Sequence, residues 1–411
     1  MADGTIDRVS VLYLIGQYPA INHSYLLAEV KHLRQLGLEV SVASVSPPDR
    51  PLEQLTSEER QEAARTFYVK SIPAAKAALL NLREFLGHPL RYLRGLMFAI
   101  RLGSSGLNRV IYRVAYFAEA ILVGRYMRQC GVSHVHASFS ATVALIVSRI
   151  FPVTMSFGVY GFGELHNPSE SHLRQLIEGA IFVRSISRYG RSQLMLSSPR
   201  SEWSKLIYAP LGIDAAEFAP GAPRALSMPP RLLCVGRLAR EKGQALLLEV
   251  VAALNAEGCP VHLRLVGDGP DRTWLELRAA ELGIASNVQF AGRVDQDRLM
   301  TMYRETDAFV LSSMAEGIPM VLMEAMAMRI PCVAPRITGI PELIEHGVEG
   351  MLFAVADVQD LKEKIRNLLE TPGLCEQIGR QARARVIRDY DAVRNSGCFA
   401  EVLTQSLKGL R

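Results

Sequence analysis

Val9 to Ile15 form a short, almost unbroken apolar run that ends at Gly16. A run this short and without alternation predicts a strand buried on both faces, the kind found in parallel sheets. After Tyr18-Pro19, the residues Leu26, Leu27, Val30, Leu33 and Leu36 recur at helical spacing across Ser24 to Leu36, and Gly37 stops the helix. Glu39 to Val45 then reads as a second strand. One strand–helix–strand unit of this kind predicts a doubly wound domain.

The same pattern restarts after a stretch rich in Gly, Pro and Ala between residues 212 and 230. Arg231 to Gly236 is a strand, a helix follows from about Gly243 to Glu257, and His262 to Val266 is a strand ending at Gly267. A helix near Thr273 to Leu282, a strand Val288 to Phe290, and strands Ala308–Leu311 and Cys332–Ala334 flanking a helix Pro319–Met328 complete it. The loss of periodicity places a domain boundary in the 212–230 stretch. A chain of 411 residues with 49% hydrophobic content is too long for one ordinary core, so two domains with a ligand-binding cleft between them are expected.

Residues 74 to 130 read as helices in which Leu79, Leu82, Leu86, Leu90, Leu93, Leu96 and Phe98 alternate with Lys76, Arg83, Arg91, Arg94 and Arg101. Two readings stand side by side: a basic amphipathic surface in peripheral contact with an anionic membrane, or core-packed helices with solvated arginines.

Composition narrows the function classes. The net charge of +5 is modest and both signs are interspersed, so nucleic acid is not an expected partner. Six cysteines without CxxC or metal-ligand spacing suit reduced thiols rather than a zinc or disulfide framework. The start, MADGTIDRVS, lacks the basic-then-apolar order of a secretory signal, and no run reaches the roughly 18 apolar residues of a spanning helix. A cytoplasmic protein, at most peripheral at the inner membrane face, is expected.

The candidate chemistry gathers in loops at the carboxyl ends of predicted strands, where parallel sheets bind ligands. In Glu316-Gly317-Ile318-Pro319-Met320-Val321-Leu322-Met323-Glu324, the proline early in the helix loses no hydrogen bond. The amides around Gly317 to Met320 therefore form a helix N-terminus that can receive an anion such as a diphosphate. Glu316 and Glu324 can accept from paired hydroxyls, one from a sugar and one from a ribose; alone, such a pair is ordinarily a solvated helix face. Arg237 and Lys242, after the strand that ends at Gly236, can supply positive charge to a diphosphate, while Arg240 and Glu241 read as solvated. Gly267-Asp268-Gly269-Pro270 can bring backbone close to a ligand. Gly292, Arg293 and Val294 can bracket a nucleobase through their backbone.

Together these segments resemble the family four retaining glycosyltransferases of the GT-B fold, and within them the subgroup serving exopolysaccharide and colanic-acid-type assembly. The resemblance covers nearly the whole chain and is strongest from Leu232 to Phe353. EGIPMVLMEAMAMRIPCVA is similar to the family's E-x7-E element, followed by the turn Thr338 to Ile344. Ala209 to Asp214 with Phe218 is similar to its inter-domain segment, and Gln17-Tyr18-Pro19 through Glu29 to the start of the subgroup.

The resemblance implies an α/β GT-B fold, two doubly wound Rossmann-like domains facing across a cleft. Residues 1–212, with a C-terminal helix 390–411 crossing back and a hinge near Gly212 and Tyr390, would form the acceptor side; residues 213–389 would bind the donor. It implies a metal-independent, retaining hexosyltransferase without cofactor, acting between a nucleotide diphosphate sugar and a saccharide or lipid-linked acceptor. Arg237 and Lys242 would hold the diphosphate, Glu324 the ribose and Glu316 the transferred sugar, with the backbone segment Gly317, Ile318, Pro319 and Met320 against sugar and phosphate.

One loop departs from the family. In Ser156 to Leu165, Tyr160 stands where the resemblance places a sugar-facing histidine and Gly163 where it places an aspartate. A phenol with an ordinary pKa near 10 is a poor base and carries no positive charge at neutral pH. Tyr160 therefore implies an altered sugar specificity or slow turnover. His136 and His166 are candidate substrate contacts, with packing as the plainer role for His136. A nucleotide-sugar-binding protein with little catalysis is the alternative function, and an epimerase on the same fold is a weaker one.

Overall fold

The computed structural model describes residues 9–102, 107–161, 165, 172–222 and 225–409. Gly163 and His166 lie outside the described residues. The chain divides into two compact units, residues 1–210 with 393–411, and residues 211–392.

The first unit is built on a seven-stranded parallel sheet. Its strands are β1 (Ser10–Gln17), β2 (Glu39–Ser46), β3 (Phe67–Tyr68), β4 (His134–Ser138), β5 (Thr154–Val159), β6 (Val183–Ser185) and β7 (Leu206–Tyr208), in the order β3-β2-β1-β4-β5-β6-β7. Leu12 and Leu14 of β1 are fully buried in one apolar cluster with Ile121 and Val135, as the continuous apolar run requires. The predicted helix near residue 24 spans Ser24–Gln35, and the C-terminal helix Ala392–Lys408 belongs almost wholly to this unit.

The second unit carries a six-stranded parallel sheet: β8 (Arg231–Val235), β9 (His262–Val266), β10 (Val288–Gly292), β11 (Ala308–Val310), β12 (Cys332–Pro335) and β13 (Met351–Phe353), in the order β10-β9-β8-β11-β12-β13. Both sheets are Rossmann-like. Succession runs outward from β8 to β10, then jumps back to β11 on the other side of β8. That reversal opens a crevice above β8 and β11, at the carboxyl ends of the strands. The segment after residue 210 and the return at residue 391 run side by side, Ile213 N donating to Tyr390 O at 3.0 Å and Ala392 N to Ile213 O at 3.1 Å.

The basic segment resolves into helices Ala74–Gly87, Pro89–Arg101 and Leu107–Cys130. Leu96 and Phe98 pack against the core, but Leu79, Leu82, Leu86, Leu90 and Leu93 are exposed. A wholly core-packed pair is therefore not what forms. No helix among the described residues is long and apolar enough to cross a membrane.

Candidate functional site

At the crevice of the second unit the loops after β8 and β11 are tied together by backbone. Met314 N donates to Glu241 O at 2.8 Å, and Ser312 Oγ donates to Lys242 O at 3.0 Å. The approach depends on Gly243. Its φ is +64°, and a Cβ there would stand 2.1 Å from Ser312 O, so any side chain would force the loops apart.

The apposition sets the site's central contact. Lys242 Nζ lies 2.6 Å from Glu316 Oε1, and the same oxygen accepts from Ser313 Oγ at 2.7 Å. The Glu316 side chain is almost buried, so the two donors hold the carboxylate in one orientation. Immediately after it, helix Met320–Ala327 begins with Pro319 as its N-cap, one residue later than the sequence pattern suggests. The amides of Gly317, Ile318, Met320 and Val321 take no backbone partner among the described residues. Those amides and the positive end of the helix directly follow Glu316 in the chain, and Lys242 reaches that carboxylate from the loop after β8, so positive charge gathers at this strand end.

Thr338 folds over this wall. Its φ of +47° is costly for a β-branched residue, and its hydroxyl donates to Gly317 O at 3.5 Å. Strain of this kind persists only where surrounding contacts hold it.

Glu324 sits one helical stretch further in and faces Tyr303, whose hydroxyl donates to Glu324 Oε2 at 2.8 Å. Burial pushes the Glu324 carboxyl up to about 7, the Tyr303 hydrogen bond pulling the other way. The folded protein thus retains a proton that an unfolded chain, with an ordinary glutamate value near 4.5, has lost. Stability is therefore expected to fall as pH rises from about 4.5 to about 7, and Glu324→Gln should flatten that slope in thermal midpoints measured across the range. A ligand whose hydroxyls donate to the ionised carboxylate shows the opposite trend: its affinity rises as pH passes through about 7, and the Gln variant loses the rise.

Arg237 has an acid partner of its own. It bonds Glu241, which the sequence pattern assigned to solvent, and its carbonyl accepts from Gln244 Nε2 at 2.9 Å. Both Arg237 and Glu241 remain half exposed, so an anion can compete for the guanidinium. Beyond them, Gly267 takes φ +128° with its Cβ position 2.0 Å from Gly236 O, and its N–H donates to Gly292 O at 2.8 Å. The loops after β8, β9 and β10 are stitched edge to edge. Arg293 follows exposed and Val294 half buried.

The structure thus brings together Lys242, Glu316 and the Gly317–Met320 amides, places Glu324 on the same helix, and lines up Gly267 and Gly292 beside Arg237. Ser313, Tyr303 and Gln244 were not legible as site residues. Ser313 had one signal, a hydroxyl just after a predicted strand; Tyr303 had none, because it reaches Glu324 from a different helix.

Tyr160 belongs to the first unit, just past the end of β5. It is 6% exposed, its hydroxyl 2.9 Å from Ser138 Oγ, with its ring 5.0 Å from Phe139 and 5.7 Å from Tyr25. Phe139 takes φ +61° and stacks on His23 at 4.4 Å, so aromatic faces cluster where β1, β4 and β5 end. His136 is a packing residue. It is wholly buried, its Nδ1 2.8 Å from Ser156 Oγ and its ring against Tyr13, Phe182 and Phe399. Burial first, then Arg184 and His134, hold it neutral, well below the usual histidine value. His134, bonded to Thr154 and Ser156, is likewise lowered to about 3 by burial. Among the described residues no three His, Cys, Asp or Glu gather as a metal would need.

Comparison with known proteins gives a family match and a fold. Residues 218–385 match the family described as glycosyl transferases group 1. The chain is 25% identical over 397 residues to the amylovoran biosynthesis glycosyltransferase AmsK of Erwinia amylovora, covering 93% of this chain and 96% of that one. It is 31% identical over 200 residues to the glycogen synthase of Mycobacterium tuberculosis, about half of each chain. Its fold is that of the GT-B glycosyltransferases: Anabaena HepE, crystallised with UDP, superposes with a TM-score of 0.72 at 18% identity over 97% of this chain and 100% of that one.

Proposed function

We propose that the chain, whose residues 218–385 match the group 1 glycosyl transferases, moves a hexosyl group from a nucleotide diphosphate sugar to a polysaccharide or lipid-linked saccharide, with retention at the anomeric carbon. The observation that carries the reading is the Lys242–Glu316 contact at 2.6 Å beside a helix N-terminus, at the point where the strand order reverses. A fixed cation, an oriented carboxylate and unpaired amides meet there, which is what a diphosphate bonded to a polyhydroxylated ring needs.

In this reading the donor diphosphate competes with Glu316 and Glu241 for Lys242 and Arg237. Glu316, released in part, accepts from the sugar hydroxyls, the Gly317–Met320 amides contact sugar and phosphate, and Glu324 accepts from the ribose. Gly292, Arg293 and Val294 border the base. The bond from the anomeric carbon to the phosphate oxygen breaks, an acceptor hydroxyl bonds to the same face of that carbon, and its proton passes to the departing phosphate oxygen. Charge builds on the diphosphate as the bond stretches, and preorganised donors already stand where it develops, so the chemistry requires no metal or other cofactor. Related AmsK acts in amylovoran biosynthesis, which favours an exopolysaccharide acceptor.

Incubation with radiolabelled UDP-, GDP- and dTDP-hexoses tests the proposal. Release of nucleoside diphosphate with an acceptor-dependent, α-configured product from an α-donor is the expected result. An inverted product would overturn retention. Tyr160 favours a second reading, a protein that binds nucleotide sugar with little turnover; saturable donor binding without release, raised by Tyr160→His, would establish it.

A further inference from the structure

Helices Ala74–Gly87 and Pro89–Arg101 treat their two faces differently. The inner stripe is packed and specific: Phe85 meets Tyr92 edge-on at 5.4 Å, Tyr92 meets Phe117 at 4.8 Å, and a Cβ on Gly95 would stand 2.5 Å from Ile150. Glu84, 2% exposed, accepts from Arg125 at 3.1 Å and Arg128 at 2.8 Å, clamping the first helix onto Leu107–Cys130. The outer stripe is bare. Leu79, Leu82, Leu86, Leu90, Leu93 and Met97 are 46 to 72% exposed, at the i, i+3, i+4 and i+7 spacing that puts them on one side of each helix. A contiguous apolar surface of this kind marks an interaction site.

Charge identifies the partner. From Ser71 to Ala118 the sequence contains one acid, the buried Glu84, and seven bases: Lys76, Arg83, Arg91, Arg94, Arg101, Arg109 and Arg113. The ion pairs of this region among the described residues join Arg125 and Arg128 to Glu84 and Lys70 to Glu119, so the exposed Lys76, Arg83, Arg91, Arg94 and Arg101 have no acidic partner. We propose that this face seats the protein on an anionic lipid bilayer, the leucines entering the acyl boundary and the arginines reaching the lipid phosphates. A second copy fits less well, since a two-fold contact would set this basic patch, with Arg83, Arg91 and Arg94, against the same basic patch. The proposal is independent of the donor chemistry and would bring the protein to any lipid-linked acceptor.

Co-sedimentation of the full chain with vesicles of phosphatidylcholine, alone or mixed with phosphatidylglycerol, tests it. Binding should need the anionic lipid and fall as salt is raised. Each base at such a surface contributes about fivefold to partitioning, so R91E/R94E should lower it by at least roughly 30-fold. L86Q/L90Q/L93Q should also weaken it. Both variants should keep the thermal midpoint and nucleotide binding of the parent, because all five side chains are exposed. Equal binding to neutral and anionic vesicles, or no loss in the variants, would overturn the proposal. So would a concentration-dependent dimer dissolved by the same substitutions, or binding to polyglutamate in place of vesicles, which would assign the face to a second copy or an acidic protein.

Discussion

Lys242→Met should lower kcat/KM for glycosyl transfer by about 10²–10³-fold, the magnitude found when one preorganised donor to a developing oxyanion is removed. The lysine stands where the loops after β8 and β11 meet, and its partner oxygen on Glu316 is also held by Ser313. Removing the lysine leaves the carboxylate with the serine alone, so part of any loss can come from a disturbed Glu316 rather than from the diphosphate. The double variant Lys242→Met/Glu316→Gln separates the two, since it removes the uncompensated charge. Under the proposed roles the single variant loses nucleoside diphosphate affinity, the Glu316→Gln variant loses turnover while keeping that affinity, and the double variant shows both defects. Retained UDP and GDP binding in Lys242→Met, measured by calorimetry, would remove the lysine from the diphosphate site.

The second large effect concerns the first unit. Arg184→Met should destabilise that unit by about 3–5 kcal/mol, the cost of breaking a buried ion pair from one side. Arg184 is fully buried on β6; its Nη1 lies 2.5 Å from Glu29 Oε2, its Nε donates to Ala209 O at 2.8 Å, and its guanidinium lies 4.1 Å from the Phe399 ring centroid. One side chain thus joins a helix near the N-terminus, the last residues before the second unit and the C-terminal helix. Among the described residues Glu29 keeps only Tyr13, at 3.2 Å, once the arginine is gone. Glu29→Met/Arg184→Met should be less harmful than either single change, because apolar replacement of both partners leaves no charge buried alone. Additive losses in a urea-denaturation cycle would refute the coupling.

These two predictions differ in how far they could be read from the chain. Lys242 and Glu316 were legible because each sits just after an apolar strand run, and a strand end in a parallel sheet is a ligand-facing place whatever the rest of the fold does. Arg184 was not. It lies inside a short strand, where a charged residue reads as surface, and the acid that compensates it is 155 positions away. Glu84 escaped for the same reason: on the helix pattern it looks solvated, and only Arg125 and Arg128, a helix away, explain its burial. Tyr303 reached Glu324 in the same fashion. Ser156, which engages both His134 and His136, turned the candidate His136 into a neutral packing residue.

The apolar helices show the limit most plainly. Leucines and arginines spaced around Ala74–Gly87 and Pro89–Arg101 fit a packed pair and a membrane-facing surface equally, because periodicity defines a helix's faces without saying which one another element covers. By itself the sequence determined the strand-helix alternation, the separation into two doubly wound parts, and the loops that hold Arg237, Lys242, Glu316 and Glu324, since these follow from short-range patterns of burial and turn chemistry. Only the tertiary structure decided which charges meet: that Lys242 pairs with Glu316 while Arg237 takes Glu241, that Glu324 lies against Tyr303 with its carboxyl raised, and that the leucines near residue 90 stand bare. Electrostatics and burial depend on distances between segments far apart in the chain, and those distances exist only once the sheets have formed.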